Sequence, residues 1–598
     1  DGVTVGGKTL LAAKADAQKK FADIEQKLAA EEAKRQGEAA RANGGGAGGE
    51  PAHADPFAPK PYDKPIADGN PSAAKPKPIG GPAAAAVTNK PLAPEPANPA
   101  LAALGAKPIP VKSKPIAGES VHLLLGGTTG LIVMPSGDLR DAKSVRVEPV
   151  NLATGASAGV LIWDPLSLPV SLAPTGQRVL GRAPGFFTGT RARIDVWDLP
   201  AATPNAPKHV LSFRPYPAWG NTKARDVEWA ELVDNDRLLT CDGKGELVAW
   251  QVSGSTATAV WRATVQGPNQ LALSPSRKRL ACATADGLAV LDAATGDTLA
   301  FYDTPRSPQH LAYSPDGKHV VGCGVSTLSY WDLEKGAFGT DVGLPTKGGV
   351  IATDPVCLGG GFVQLGGNAY VLDLARRQVV WRFDRAGSGA VSHAGKTWAV
   401  FGSWAGQEPL ALVPAVLPTD AARKAIAAAP PADADMLLRP GMSVTLDVAV
   451  AGDDQQVKAA VDAVTAQLKR NNVTVADGQP VRVVLRTEDG KTTEQTFRSI
   501  GPGGGGTQTV SVTEKITRVF VEADGQVAWE ARSVYVPTFV NRQQGQTIGD
   551  AVGQANNKYN LGFLQNVRVP AYVPKVTEKV GLGSSQWTAT GIKDGTGK

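Results

Sequence analysis

A mainly β chain organised around a β-propeller of about seven blades is what the sequence predicts, on three observations that share one period. Positions that close apolar strands, Trp250 in LVAWQ, Leu291 in LAVLD, Trp331 in LSYWD and Leu372 in AYVLD, are separated by 41, 40 and 41 residues. The strand-turn-strand stretches LALSPSRKRLA and LAYSPDGKHVV place Ser274-Pro275 and Ser314-Pro315 forty residues apart. Cys241, Cys282 and Cys323 also fall 41 apart. Short β-type runs at so long and regular a period mark a propeller or solenoid, in which each unit buries its apolar face against the next.

The register extends in both directions. Trp197–Leu199 closes a further blade upstream and Leu161–Trp163 an earlier one, while 390–414 supplies a last, degenerate blade. Six or eight blades also fit, because the first and last are weakly marked and closure can borrow a strand from one end of the segment. The propeller is expected over 118–418. Equivalent cysteines on the second strands of neighbouring blades read as small buried core residues, neither paired nor reactive.

The flanks read differently. Within 1–42, the stretch 8–42 is rich in Ala, Lys, Glu and Gln, with Phe21, Ile24 and Leu28 at helical spacing, and predicts a helix. The tract 43–117 holds sixteen prolines up to Pro115, with Phe57 and Tyr62 as its only aromatics. Such a composition cannot offset ordering entropy by apolar burial and predicts a disordered, partly polyproline-II tether. After the propeller, 419–440 reads as a linker with a short Ala-rich helix, and 441–598 as a small α+β domain. That domain is expected to contain the strand SVTLDVAV, a helix over 453–471, and a mostly antiparallel sheet of strands near 481–487, 492–499, 507–513, 516–522 and 527–536. A second helix near 547–558 and the apolar tail FLQNVRVPAYVPK are expected to cover one sheet face.

Composition excludes several functions. The net charge of +6 comes from 62 basic and 56 acidic residues that are not massed in one stripe, unlike a nucleic-acid-binding surface. No apolar run reaches eighteen residues, so no membrane-spanning helix is expected. The histidines, His53, His122, His209, His310, His319 and His393, lack metal-ligand spacing. The glycines at 501–506 lack the Gly-Lys-Ser/Thr ending of a phosphate loop. Asp453-Asp454 and the pair Asp433 and Asp435 stand where helix starts are expected. No catalytic residue, metal or cofactor is expected from these patterns. The first residue is Asp, which is compatible with removal of an upstream signal or anchor and leaves the compartment unread.

The phrases LAYSPDGKHVV followed by LSYWDLEKG, and IDVWDLP earlier, resemble WD40 repeats. LAVLDAATGDTLAFYD and AYVLDLARRQVVWRFD are similar to the repeats of quinoprotein-like propellers and their non-catalytic relatives in bacterial envelope assembly. Both resemblances imply one fold over about half the chain, and neither fixes function, because a propeller hosts many activities. The Gly-His dipeptide of WD repeats is missing here, and with it the residue that anchors the hydrogen-bond tetrad of each blade. Quinoprotein chemistry is disfavoured by the lack of adjacent cysteines. The resemblance and the Ala/Gly/Pro-rich composition together favour a bacterial envelope or periplasmic setting over a cytoplasmic one.

Loops between second and third strands, and between blades, open on one face and commonly carry binding. Three stretches there depart from the compact repeat: RAPGFFTGTRAR, RPYPAWGNTKAR and GSWAGQEP. They offer Phe186, Phe187, Arg191, Tyr216, Trp219, Arg225 and Trp404, aromatics and arginines of the kind enriched in interface hot spots. The bland alternative is that these aromatics pack beneath their own loops. The expectation is a non-enzymatic scaffold presenting this face to a protein or peptide partner. A propeller enzyme acting on carbohydrate or another polar substrate, and a purely structural envelope component, are the alternatives.

Overall fold

The computed structural model describes residues 4–5, 8–9 and 64–595, with breaks at 80–86, 96–103, 106, 114–118, 137–143, 185–190, 201–205, 218–224, 268–269, 285–286, 304–309, 325, 346–354, 366–368, 386–387, 402–409, 431, 499–506, 539, 541–545, 557 and 578–579. In the first unit Thr4–Val5 pairs antiparallel with Lys8–Thr9. The remainder of the helix expected over 8–42 lies outside the described residues.

In the second unit, seven antiparallel sheets follow one another along the chain. Blade 1 comprises His122–Gly126, Thr129–Pro135, Val145–Asn151 and Leu161–Trp163. Blade 2 comprises Leu168–Leu172, Arg178–Arg182, Ile194–Asp198 and Lys208–Arg214. Blade 3 comprises Val227–Leu232, Arg237–Asp242, Glu246–Ser253 and Thr256–Thr264. Blades 4, 5 and 6 span 271–303, 310–343 and 356–385. The last takes Ser388–His393, Lys396–Phe401 and Ala411–Ala415.

The sequence markers have a common structural cause. Where the third strand meets the fourth, the register shifts between Val196 and Trp197, Ala249 and Trp250, Val290 and Leu291, Tyr330 and Trp331, and Val371 and Leu372. Each closing residue therefore sits at a β-bulge, which adds the local twist that an outer strand of a blade needs. Cys241, Cys282 and Cys323 lie buried on second strands, outside any disulfide. Cys241 and Cys282 share one core between blades 3 and 4. One marker belongs elsewhere: Leu161–Trp163 is the fourth strand of blade 1, not its third. The third strand there, Val145–Asn151, carries Glu148 and Pro149 and has no tryptophan to announce it.

Blade 7 takes its fourth strand from far upstream. Ile109–Pro110 pairs antiparallel with Leu412 and Ala411, and the Val111 N–H donates to the Leu410 carbonyl at 2.9 Å. Ile109 and Val111 then join Leu123, Ile132, Trp398 and Leu412 in the core that seals blade 7 to blade 1. The His393 Nε2 donates to the Gly127 carbonyl across the same seam at 2.9 Å. Burial holds this imidazole below its ordinary pKa, so the folded protein keeps it neutral.

The described parts of the proline-rich tract differ from the expected tether: they lie along the outer edges of the blades. Ala67–Asp68 runs parallel to Phe213–Arg214 of blade 2, and Lys75–Pro76 parallel to Trp261–Arg262 of blade 3. Thr88 bridges Phe301 of blade 4 in the same sense. Ala74 enters the core between blades 2 and 3, and Leu92 the core between blades 4 and 5. Farther on, the wholly buried Glu148 of blade 1 accepts from the Lys112 and Ser113 amides at 2.9 and 2.8 Å. Proline suits this work, because an edge partner needs its hydrogen-bonding groups on one side only.

After blade 7, the helix Asp420–Ala428, capped by Thr419, packs Ala422 into the core between blades 6 and 7. A five-stranded sheet follows in the order Thr474–Val475, Ser443–Ala449, Val481–Arg498, Thr507–Ala523 and Gln526–Tyr535. It is parallel at its first two junctions and antiparallel at the two longest. The strands expected at 481–487 and 492–499 are one strand interrupted between Asp489 and Thr492. The helix Asp454–Arg470, capped by Asp453, packs Val464 and Leu468 onto this sheet with Leu561 and Leu564 of the helix Leu561–Asn566. Among the described residues no helix is long and apolar enough to cross a membrane.

This layer grips blade 5. The Trp529 indole donates to the Ser326 carbonyl at 2.8 Å, and the Gly343 N–H donates to the Tyr572 carbonyl at 2.8 Å. Arg568 pairs with Asp341, whose burial pushes its carboxyl above the usual range. Farther along, Ser584–Thr588 runs parallel to the outer strand of blade 6, and Gly591–Asp594 folds back on it.

Two outcomes follow from the seam. Ile109→Ala is expected to cost about 2–5 kcal/mol in a denaturant titration, the usual range for emptying a buried aliphatic site; a loss below the error of the titration would remove this strand from the closure. For His393 the unfolded state titrates near the ordinary value of about 6.5 and the folded state below it. Its contribution is therefore present above about pH 6.5 and is lost as pH falls through the folded value. His393→Gln should show a smaller loss of stability between pH 7.5 and 5.5 than the parent, and equal losses would assign the acid sensitivity to other groups.

Candidate partner-binding face

Strand alternation places the turns between second and third strands, and the links from each fourth strand to the next blade, on the same face. At the seam of blades 2 and 3 the described ends of two such segments meet. The Arg191 N–H donates to Asp226 Oδ1 at 2.9 Å, and the Val227 N–H donates to the Arg191 carbonyl at 3.1 Å. Arg191 also forms a two-pronged pair with Glu228, both contacts at 2.8 Å. Beneath it, Arg182 donates to the Val227 and Glu228 carbonyls at 3.1 and 2.7 Å.

Arg225 anchors the link on the blade 3 side. Its guanidinium pairs with Asp242 and Glu246 and lies 5.0 Å from the ring centroid of Tyr216. Asp242 is wholly buried in the Asp242–Gly245 turn, where it accepts from the Lys244 and Glu246 amides at 2.9 and 2.8 Å. Gly245 has φ +82, and a Cβ there would meet the Val265 carbonyl oxygen, so the turn requires glycine. The result is a fixed lattice of alternating arginines and carboxylates, in which each long side chain is held by at least one partner.

Tyr216 is corrected from an interface residue to a core residue. Its hydroxyl lies 2.8 Å from the Thr240 carbonyl, 2.6 Å from the Glu246 carbonyl and 3.0 Å from Thr240 Oγ1. The Trp250 indole donates to the same Thr240 Oγ1 at 2.9 Å. Tyr216 is 1 % exposed, which leaves it no surface for a partner, and burial pushes its hydroxyl well above the ordinary pKa. A Trp-Thr-Tyr chain thus ties third strand, second strand and incoming link together in a blade without the Gly-His histidine. Cys241 lies below, and burial pushes its thiol up as well.

Of the other residues expected on this face, Arg191 and Arg225 are brought to one seam, while Phe186, Phe187, Trp219 and Trp404 lie outside the described residues. Asp226, Glu228, Asp242 and Glu246 complete the site and were not singled out from the sequence. Their signal was weak: isolated acids flanking a DGKG turn and a strand start.

The strand order defines a seven-bladed β-propeller. No family model matches this chain, and no curated protein matches it. Among solved structures it is similar to the β-propeller domain of Cps50 (Swd1) from Myceliophteria thermophila, over 51% of this chain and 99% of that one, with 12% identity and a TM-score of 0.33. The blade assignment rests on the pairing described above.

Removing the Tyr216 hydroxyl should destabilise the protein by about 1–3 kcal/mol, the usual penalty for stranding buried polar groups. Arg191→Ala, which deletes a partly exposed pair, should cost under about 1 kcal/mol. Urea titrations of both variants measure the difference; equal costs would place Tyr216 outside the core of the blade.

Proposed function

We propose that this chain is a non-enzymatic propeller scaffold whose face at blades 2 and 3 receives a protein or peptide partner. The observation that carries this reading is the fixed base of two long segments, which are joined at Arg191 with Asp226 and fastened to blade 3 at Arg225 with Asp242. The residues directly before these anchors include Phe186 and Phe187 on one side and Trp219 on the other. Rigid bases lower the ordering cost that a loop contributes when it engages a partner. A bacterial envelope setting is supported by the resemblance of the repeats and by the Ala/Gly/Pro-rich composition.

The carbohydrate-enzyme alternative is less well supported. Glycoside cleavage commonly uses two carboxylates flanking the bond. Among the described innermost strands, which line the channel, the carboxylates are Glu228 and Glu231, both on blade 3. Glu228 is held by Arg191, and Glu231 by Arg277 at 2.9 Å and Ser171 at 2.6 Å. Both are thus engaged in ion pairs.

A pull-down with the full chain tests the proposal, beside a variant carrying Phe187→Ala, Trp219→Ala and Trp404→Ala whose melting is unchanged. Capture of a defined partner by the parent, reduced at least about tenfold in the variant, is the expected result for loss of central aromatic anchors. Equal capture by two folded proteins would move the binding site off this face.

A further inference from the structure

Five blades pair with a segment from outside the ring at one equivalent place, three through a strand and two through a single bridge. The bridging residues on their fourth strands are Phe213, Trp261, Phe301, Val342 and Phe383, spaced by 48, 40, 41 and 41 residues. All five additions are parallel. The first three come from the proline-rich tract, and the last two from the C-terminal segments around Tyr572 and Ser584–Thr588. Two residues of pairing are enough for the additions at blades 2 and 3.

Blade 1 has the same acceptor, and no described strand pairs with it. Trp163 occupies the place of Phe213, fifty residues earlier, and is buried between blades 1 and 2. Among the described residues its strand, Leu161–Trp163, pairs on the inner side with Val145–Val147 and has no neighbour on the outer side. Ile162 is 74 % exposed there, and Val160, on the same side of the strand, is also exposed. The residues matching Ile162 are buried on blades 2, 4 and 5, as Ser212, Ala300 and Asp341, and exposed on blades 3 and 6, as Val260 and Arg382. An outer edge with free main-chain groups beside an apolar side chain is a template for strand addition.

We propose that the outer edge of blade 1 takes an extended Lys-Pro-apolar segment of a separate polypeptide as a parallel added strand. This surface is distinct from the face at blades 2 and 3. The chemistry of the occupant is read from the segments that this chain lays on its own edges. Lys64-Pro65-Ile66 leads into the strand on blade 2, Lys90-Pro91-Leu92 seats Leu92 between blades 4 and 5, and Lys107-Pro108-Ile109 seats Ile109 at the closing seam. Proline presets the extended backbone, so little conformational freedom is lost on docking. The apolar residue then covers the side chains of the edge, here Ile162 and Val160. The interface is also continuous with the existing belt: Lys64 Nζ sits 3.0 Å from Asp164, one residue beyond the open strand, and the described belt runs from there toward blade 2.

The test uses the full chain and a fluorescein-labelled peptide of the sequence KPIADGN, that of residues 64–70, followed by fluorescence anisotropy. Saturable binding is expected, weakened at least about tenfold by Ile162→Lys, the loss of one apolar contact with added like charge. Val260→Lys changes an exposed valine at the matching place on blade 3, whose edge is already covered, and should leave binding unchanged. Both substitutions are at exposed side chains, and unchanged melting of each variant completes the comparison. Absence of saturable binding to the folded parent, or equal weakening by both variants, overturns the proposal. A dimer in sedimentation that dissociates on Ile162→Lys would give the edge to a second copy of this chain, and overturns it too.

Discussion

Each blade ends in a strand whose outer N–H and C=O groups have no partner within the blade, and satisfying those groups organises the rest of the molecule. The chain does this with its own flanks. Segments on the upstream side cover blades 2, 3 and 4 and complete blade 7, and segments on the downstream side cover blades 5 and 6. The flanks are therefore part of the propeller's hydrogen-bond system, and the buried Glu148 and Asp341, the latter paired with the half-buried Arg568, serve to fasten them.

The same economy appears at the blade 2–3 seam. A propeller that lacks the Gly-His histidine needs another group to hold the incoming link against the second strand. Tyr216 does this with its hydroxyl on Thr240, and Arg225 stacks over the ring while pairing with Asp242. Packing, hydrogen bonding and charge pairing thus act on one link. The segments that leave it on the solvent side depart from fixed points.

The period of the blades was legible because Trp250, Leu291, Trp331 and Leu372 each mark a bulge, and that bulge recurs from blade 2 to blade 6. Blade 1 was misregistered because Glu148 occupies its third strand for a fastening purpose and no tryptophan stands beside it. The belt was not legible at all. Its energy comes from main-chain bonds and a few seated side chains such as Ala74, Leu92 and Ile109, and none of these produces the alternation that announces a strand. For the site, Arg191 and Arg225 were found because arginine in a long loop stands out. Tyr216 was misplaced because a buried link aromatic and an interface aromatic look alike until the partner of its hydroxyl is known. The carboxylates were missed because acids at turns are common.

The closing strand carries a consequence for how the molecule comes into being. Ile109 meets Leu412, and Val111 meets Leu410, about 300 residues downstream, a separation that makes ring closure a late and slow contact in any folding sequence. During synthesis the tract emerges ahead of every blade it covers, and the blade 7 strands that it completes are the last of the ring to be made. The covers of blades 2, 3 and 4 must therefore wait for their edges, whereas the edges of blades 5 and 6 stay bare until the downstream segments emerge, open to the wrong strand during that interval. The lysines and prolines of the tract suit a segment that has to wait, since a charged, proline-rich chain is slow to pair with copies of itself before its own place exists.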